Sequence, residues 1–451
     1  MMAGTGEKQV ELEEFLDNLP ISRFHIAILA LCTILTAIDG YEIFVVGWVL
    51  PKLAEDFNIS PAAVTPVMIA QQIGMVVGLF TIPQLADRLG RPRLLTLCYA
   101  GMALTSLGIL FTHSLPPFAV YRFIAGLCAS SMIPLAVTIA SETAPKRLRS
   151  TFSGITVSGT MLGSLLGSFM QGFLLEQYGW HSAFWIATLL PAIMLPLLVL
   201  LPDSLRSLAA RDPQDPRIPV LARRMAPAGQ AVPALYIAPR DSQERPRAPV
   251  AAILGNGQWK RTFLYWLAAI GSFVYMTMGQ WHTAVYKNVL GLPYTGIAAL
   301  GVAATAAGAI GMFFIGFLID RFGFPRVMVS TFLLAALGCV LTGLVAPSPL
   351  MFATVAMTAM FQHGGVASVA ALGAALYPPA SRATGVGWAY GVGRIASIVA
   401  PLYGVWILHE AFDFRTISTF NGVPLAVTGL ATLALMKIYG EHMSKQKIAR
   451  H

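Results

Sequence analysis

Twelve stretches of the chain stay apolar for about 20 residues at a time, the length a helix needs to cross a bilayer. No other feature constrains the fold as much. The stretches cover approximately 24–50, 63–85, 94–112, 116–141, 151–175, 183–201, 262–286, 296–319, 327–345, 350–377, 384–407 and 418–438. Backbone polar groups in lipid must be satisfied within their own segment, so each stretch reads as a transmembrane helix. The chain is 11% charged and 56% hydrophobic, where a soluble domain is roughly 25% charged. An all-α membrane protein is expected. The opening "MMAGTGEKQVELEEFLDNLP" is polar and acidic and lacks the short apolar core of a signal peptide. It reads as a cytoplasmic tail with room for a short amphipathic helix.

Lys and Arg set the orientation. With both termini inside, the inner segments hold 25 of the 30, and the outer loops hold only Lys52, Lys287 and Arg415. Cytoplasmic loops carry this excess, so both ends are placed in the cytoplasm. The net charge of +9 is then a topology signal, and no nucleic-acid partner is expected. Residues 202–258, rich in Pro, Arg and Ala, read as a flexible cytoplasmic linker. The expected organisation is a tail (1–23), a six-helix bundle (24–201), the linker, a second bundle (259–439) and a C-terminal tail (440–451). Cys32, Cys98, Cys128 and Cys339 all fall in apolar segments with no disulfide or metal spacing.

The two bundles are a repeat. "LADRLGRPRLL" after the second span aligns with "LIDRFGFPRVM" after the eighth, and "APKRLRSTFSG" after the fourth with "YPPASRATGVG" after the tenth. Both alignments have an offset of 233 residues. Parallel repeats of this kind build transporters that hold substrate near the midplane between the halves. In the loops, Asp87, Arg88 and Gly90 match Asp320, Arg321 and Gly323, with Arg91 beside them, while Arg149 matches Arg382. A glycine turn with an acid able to accept from a helix N-terminus reads as a conformational latch on the cytoplasmic face. The plainer reading is a positive-inside loop.

"LADRLGRPR", "YRFIAGLCASSMIPLAVTIASETAPKRLRS" and the two-fold repeat together resemble the major facilitator superfamily over essentially the whole chain. "DGYE" in the first span, "QYGWHSAFW" before the sixth and "RATGVGWAYGVGRIASIVAPLYG" in the eleventh are similar to the aromatic acid:proton symporter family. The resemblance implies two pseudo-symmetric six-helix bundles, the major facilitator fold. It also implies proton-driven uptake of an aromatic carboxylate across a bacterial inner membrane. Glu42 stands where that family usually has aspartate, Pro83 where its loop motif opens with glycine, and His363 in a span where no histidine is expected.

Few ionisable groups lie inside the spans: Asp39, Glu42, Arg122, His363 and Arg394, with Glu142 at an inner end. A charge at the bilayer centre costs roughly 2.5–3.5 kcal/mol on insertion scales, so each is a functional candidate. Asp39 and Glu42, three residues apart, share a helix face. Two carboxylates so close in low dielectric cannot both ionise easily, which suits a proton carrier. Arg122 lies at comparable depth and can pair with one of them. The alternative is a static ion pair or an acid capping a kink at Gly40. Arg394, near the midplane of the eleventh span, matches a substrate carboxylate in bidentate geometry. Helix–helix pairing with backbone carbonyls is the structural alternative. The positions 233 residues from Asp39, Glu42, Arg122 and Arg394 are Ser272, Tyr275, Val355 and Met161, so the symmetry is broken at the charges.

His363, beside Gln362, either bonds a ring substituent, joins the proton path or is a satisfied core histidine. Trp281 and His282 either contact the ring or anchor at the interface. Trp388 and Tyr390 are candidates for stacking on an aromatic substrate. Gln72 and Gln280 are weaker polar candidates. The glycines of "SGTMLGSLLGS" read as small-residue helix packing.

Secondary active transport is the leading expectation, with protons as coupling ion, no cofactor or metal, and a monomer in the bilayer. Alternatives are an exporter or importer of another organic anion, or a membrane sensor of aromatic compounds. An enzyme built on His363 lacks a second convergent group.

Overall fold

The computed structural model describes residues 10–17, 19–199, 201, 203–212, 214–226, 236–237, 251–255, 258–410 and 412–448. The first six spans are α1 (Arg23–Asp56), α2 (Thr65–Leu89), α3 (Arg91–Ile109), α4 (Leu115–Ala129 and Met132–Thr143), α5 (Arg149–Phe173) and α6 (His181–Val199). The second six begin with α7 (Trp259–Met278, a tight turn over Gly279–Trp281, then His282–Asn288) and α8 (Tyr294–Phe322). They continue with α9 (Phe324–Val345), α10 (Leu350–Leu376), α11 (Pro379–His409) and α12 (Phe414–Ile448). Ten of these are long and apolar enough to cross a membrane on length and hydropathy alone. α3 and α5 fall short, and in α5 the cause is its glycine and serine content.

That composition has a packing reason. Gly159 and Gly163 of α5 face the backbone of α1 at Thr33 and Ala37, and Gly167 faces the ring of Trp48. A Cβ at Gly163 would run into the carbonyl of Ala37, so α5 lies on α1 as closely as two helices can. Elsewhere the helices expose large apolar side chains, such as Leu104 at 67% and Ile193 at 62%, which is the outside of a body solvated by lipid.

The repeat is visible in the packing. α1 lies on α5, α2 on α4 and α3 on α6; six helices later, α7 lies on α11, α8 on α10 and α9 on α12. The seams between the halves obey the same symmetry, since α5 packs on α8 and α11 on α2. The turns match as well. Gly90 (φ 90°, ψ 145°) and Gly323 (φ 86°, ψ 146°) each end one helix and start the next. Both donate to a carbonyl four residues back, at Ala86 and Ile319, over 3.0 Å. Positive φ of this kind suits glycine at a helix C-terminus.

Three features differ from the expected outline. α1 runs through Pro51 to Asp56, past the expected end near residue 50. α12 continues as one helix to Ile448, where a tail was expected from residue 440. The linker, expected to be flexible, carries helices Leu205–Arg211 and Arg217–Met225. Their apolar faces, with Leu208, Leu221 and Met225, bury Phe15, Leu16 and Leu19 of the N-terminal segment, whose short helix is Leu12–Asp17. The Asp17 carboxylate accepts from the backbone N–H of Lys146 at 2.7 Å, and Val10–Glu11 pairs in parallel with Tyr236–Ile237. Tail and linker thus form a small cap on one end of the first half.

Candidate functional site

Within the first bundle, one buried cluster collects the charges. Glu42 and Arg122 are 2% and 0% exposed. One Arg122 nitrogen bonds Glu42 Oε1 and the other donates to the Glu42 main-chain carbonyl at 2.9 Å. Ser106 Oγ, on α3, donates to the same carboxylate oxygen at 3.4 Å. A single arginine thus grips both the side chain and the backbone of one residue. Losing one partner of such a buried pair costs about 3–5 kcal/mol.

Asp39, one turn earlier on α1, is equally buried, yet neither carboxylate oxygen has a hydrogen-bond partner among the described residues. Two charges act on it, those of Arg394 on α11 and of Glu42. Arg394 reaches from the second half into the first, at Met75 of α2. Its Nη1 lies 3.6 Å from the sulfur of Met75 on α2, and its guanidinium stands 5.2 Å from the centre of the Phe273 ring. The ring of Tyr390 meets Phe273 edge-on at 5.3 Å, beside this charge.

A cavity of about 200 Å³ lies between the halves. Phe44 and Trp48 of α1 and Met161 of α5 contribute to its wall from the first half; Tyr275, His282, Gln362 and His363 do so from the second. His363 Nδ1 contacts the Ala359 carbonyl at 3.0 Å. A carbonyl only accepts, so Nδ1 carries the proton and Nε2 is left as the ring's acceptor. Gly308 of α8 makes room for this ring, since a Cβ there would lie 3.0 Å from Nδ1. His282 stacks on Tyr286 with ring centres 5.7 Å apart. Among the described residues, no group of three or more metal-ligating side chains converges here or elsewhere.

Of the expected substrate residues, His282, Gln362 and His363 line this cavity, whereas Arg394, Tyr390 and Trp388 do not. Trp388 points elsewhere altogether. It shares a helical stripe with Ile395, Val399, Leu402 and Trp406, all exposed, and stacks on Trp266 at 6.1 Å. Two residues along a helix turn the side chain by about 200°, so Trp388 and Tyr390 face opposite ways. Trp281 is buried against Gly404 of α11, in the place that Trp48 takes against Gly167.

The 233-residue offset connects the two regions. Glu42, Ser106, Arg122 and Arg394 correspond to Tyr275, Cys339, Val355 and Met161, and all four of these line the cavity. Cys339 Sγ donates toward the Tyr275 hydroxyl at 3.9 Å, as Ser106 donates to Glu42. Even the orphaned acid has its echo, since Ser272, the counterpart of Asp39, is buried with its hydroxyl unpartnered among the described residues. The offset already points to Tyr275, Val355 and Met161; Ser106 carries no charge and is found only through its contact with Glu42, and Cys339 only as the counterpart of Ser106.

At the end away from the linker, the halves are tied over the cavity. Gln171 of α5 donates to Thr283 Oγ1 of α7 at 2.8 Å and to the Trp48 carbonyl at 3.3 Å. Gly47 of α1 meets the backbone of Gln280, its own counterpart. At the linker end, the expected latch is described in part. Arg91 pairs with Glu142, which also accepts from Ser204 Oγ at 2.5 Å. Arg321 lies over the Phe322 ring at 5.6 Å, while Arg149 and Arg382 stand at the equivalent starts of α5 and α11. The side chains of Asp87, Arg88 and Asp320 lie outside the described ones.

The model for the Major Facilitator Superfamily matches residues 31–312 and again 262–450. A gallate transporter of Pseudomonas putida is 31% identical, over 94% of this chain and 95% of its own. The 4-hydroxybenzoate transporter PcaK of Pseudomonas aeruginosa is 28% identical, over 94% and 96%. Among solved structures, a partially occluded inward-open form of the xylose transporter XylE from E. coli superposes with a TM-score of 0.68 at 17% identity, covering 93% of this chain and 98% of that one. With twelve helices in two matching bundles, and a family model and relatives that span nearly its whole length, this chain belongs to the major facilitator superfamily.

Proposed function

We propose that the protein is a secondary transporter that takes up a small aromatic carboxylate together with protons, by alternating access between its two halves. The two similar transporters are named for gallate and 4-hydroxybenzoate, both hydroxylated aromatic acids. The cavity suits a ring of that kind, with Phe44, Trp48 and Tyr286 as apolar faces and Tyr275, Gln362 and His363 as hydrogen-bonding groups. The bilayer is the bacterial inner membrane, with the linker end and both termini in the cytoplasm, as the Lys and Arg distribution supports. Protons are the coupling ion and no cofactor takes part. A monomer suffices, because one chain supplies both walls of the cavity.

The observation that carries coupling is Asp39, buried without a hydrogen-bond partner among the described residues, in the half that the Arg394 guanidinium enters at Met75. Glu42 is committed to Arg122, so Asp39 is the acid available to exchange a proton. With Asp39 ionised, its charge and that of Arg394 hold α1 and α11 in one relation. With Asp39 protonated, Arg394, which lies outside the cavity wall in this structure, is released to pair with the carboxylate of an arriving substrate, and the halves are free to rock with a neutralised interface. Arg91, Glu142 and the two glycine turns act as the latch at the cytoplasmic end. Uptake of labelled 4-hydroxybenzoate or gallate into proteoliposomes, with and without an inward proton gradient, tests this. The gradient should raise uptake, and Asp39→Asn with Glu42→Gln should remove the increase; accumulation unchanged in that double variant would sink the coupling. Binding of sugars or cationic drugs, with no aromatic acid, would refute the substrate class.

A further inference from the structure

A second cavity, of about 760 Å³, lies away from the interface between the halves. It opens where α3 begins and α6 ends, beneath the linker helix Arg217–Met225. Its charged lining is Arg93, Arg217, Arg224 and Asp203. Arg217 is already engaged, with Asp215 at 2.7 Å and Asp203 at 3.3 Å. Arg93 and Arg224 are exposed, and among the described residues neither has a hydrogen-bond or ion-pair partner. The apolar lining is just as unusual for a water-facing groove. Leu97, Val199 and Val220 are exposed at 57%, 72% and 56%.

These apolar residues continue surfaces that face lipid. On α3, Leu97 and Leu104 are seven residues apart and both exposed; on α6, Leu189, Ile193 and Leu197 are four apart and likewise exposed. α3 packs on α6, so the two stripes flank one seam and the groove stands at its end. A soluble anion would meet the two guanidinium groups and leave the apolar wall in water. A molecule with a phosphate head and hydrocarbon tails satisfies both. We propose that this groove binds an anionic phospholipid, its phosphate between Arg93 and Arg224 and its chains along the α3–α6 seam. The site needs only that these helices cross a bilayer, and so stands whatever the transported substrate.

Native mass spectrometry of the full-length protein, released from bilayers with equal phosphatidylglycerol and phosphatidylcholine, tests the site. The unsubstituted protein should retain phosphatidylglycerol over phosphatidylcholine by roughly thirtyfold, as expected for two basic residues at a membrane surface. Arg93→Gln with Arg224→Gln should bring the ratio near one, and Arg93→Lys with Arg224→Lys should keep most of it. Melting in phosphatidylcholine alone reports whether the variants fold; should the glutamine pair melt low, Arg224→Glu on the surface helix gives the same reading. Equal retention of both lipids by the unsubstituted protein, or a preference that survives the glutamine pair, would overturn the proposal. So would displacement of the bound lipid by soluble glycerol phosphate at matched concentration, which would make the groove a plain phosphate site.

Discussion

The two halves share one scaffold and put different chemistry on it. In the first, Ser106, Glu42 and Arg122 form a closed, fully buried polar cluster. In the second, the residues 233 positions later are Cys339, Tyr275 and Val355, and they line an open cavity. Helix packing is the same on both sides, so the backbone does not decide which half carries charge. The side chains at a few equivalent positions decide it. A duplicated bundle thereby offers two copies of one pocket, one free to specialise in protons and the other in an organic ligand. Arg394 of the second half enters the first at Met75 and so joins the two bundles at a buried charge.

The largest expected effect comes from breaking the cluster that exists in the first half alone. Arg122→Ala leaves the Glu42 carboxylate buried without its cation and should cost about 3–5 kcal/mol. The measurement is thermal unfolding of purified protein in detergent. Adding Glu42→Gln to Arg122→Ala should recover most of the loss, because the unpaired charge is then gone. A double variant no more stable than the single one would mean that Arg122 acts through packing and not through Glu42.

Asp39→Asn addresses the acid without a partner. One pH unit stores about 1.4 kcal/mol per proton, enough for about tenfold accumulation if one proton enters per substrate. The variant should show no accumulation under that gradient, while exchange of labelled for unlabelled substrate continues. Accumulation retained in Asp39→Asn would move the proton site to Glu42 and make the two acids interchangeable. Stability should change little, since Asn fills the same volume.

Much of this architecture was legible in the sequence. Runs of about 20 apolar residues are a strong signal, and the 233-residue offset exposes the duplication without any contact. Helix ends were less legible. The last turns of α1, with Lys52, Glu55 and Asp56, are polar and so carry no membrane signal. The buried charges were easy to find because they are rare in lipid. Their pairing was not, because the approach of α4 to α1 determines whether Arg122 reaches Asp39 or Glu42. The cavity wall was hardest, since Met161, Val355 and Cys339 are ordinary residues for a membrane helix. Trp388 shows the opposite error: an aromatic residue near a charge draws attention, yet helical geometry turns it to the outside.

The smallest effects sharpen the comparison from the cavity side. Tyr275→Phe removes one hydroxyl from the place that Glu42 holds in the other half. Loss of one net hydrogen bond is worth about 1 kcal/mol, so KM for a hydroxylated acid should rise about fivefold, with less effect on benzoate. The proton-gradient dependence should be unchanged if Asp39, in the other half, is the coupling acid; a flattened dependence would show that the cavity and the charge cluster are one site. Cys339→Ser asks the subtlest question. It places in the second half the residue that supports Glu42 in the first, and turns a sulfur contact of 3.9 Å into a potential O–H···O bond to Tyr275. The gain should be below about 1 kcal/mol, a shift of no more than about fivefold in KM that disappears in the Tyr275→Phe background. An equal shift in both backgrounds would mean that Cys339 meets the substrate directly, and that the second half uses this position for something the first half does not.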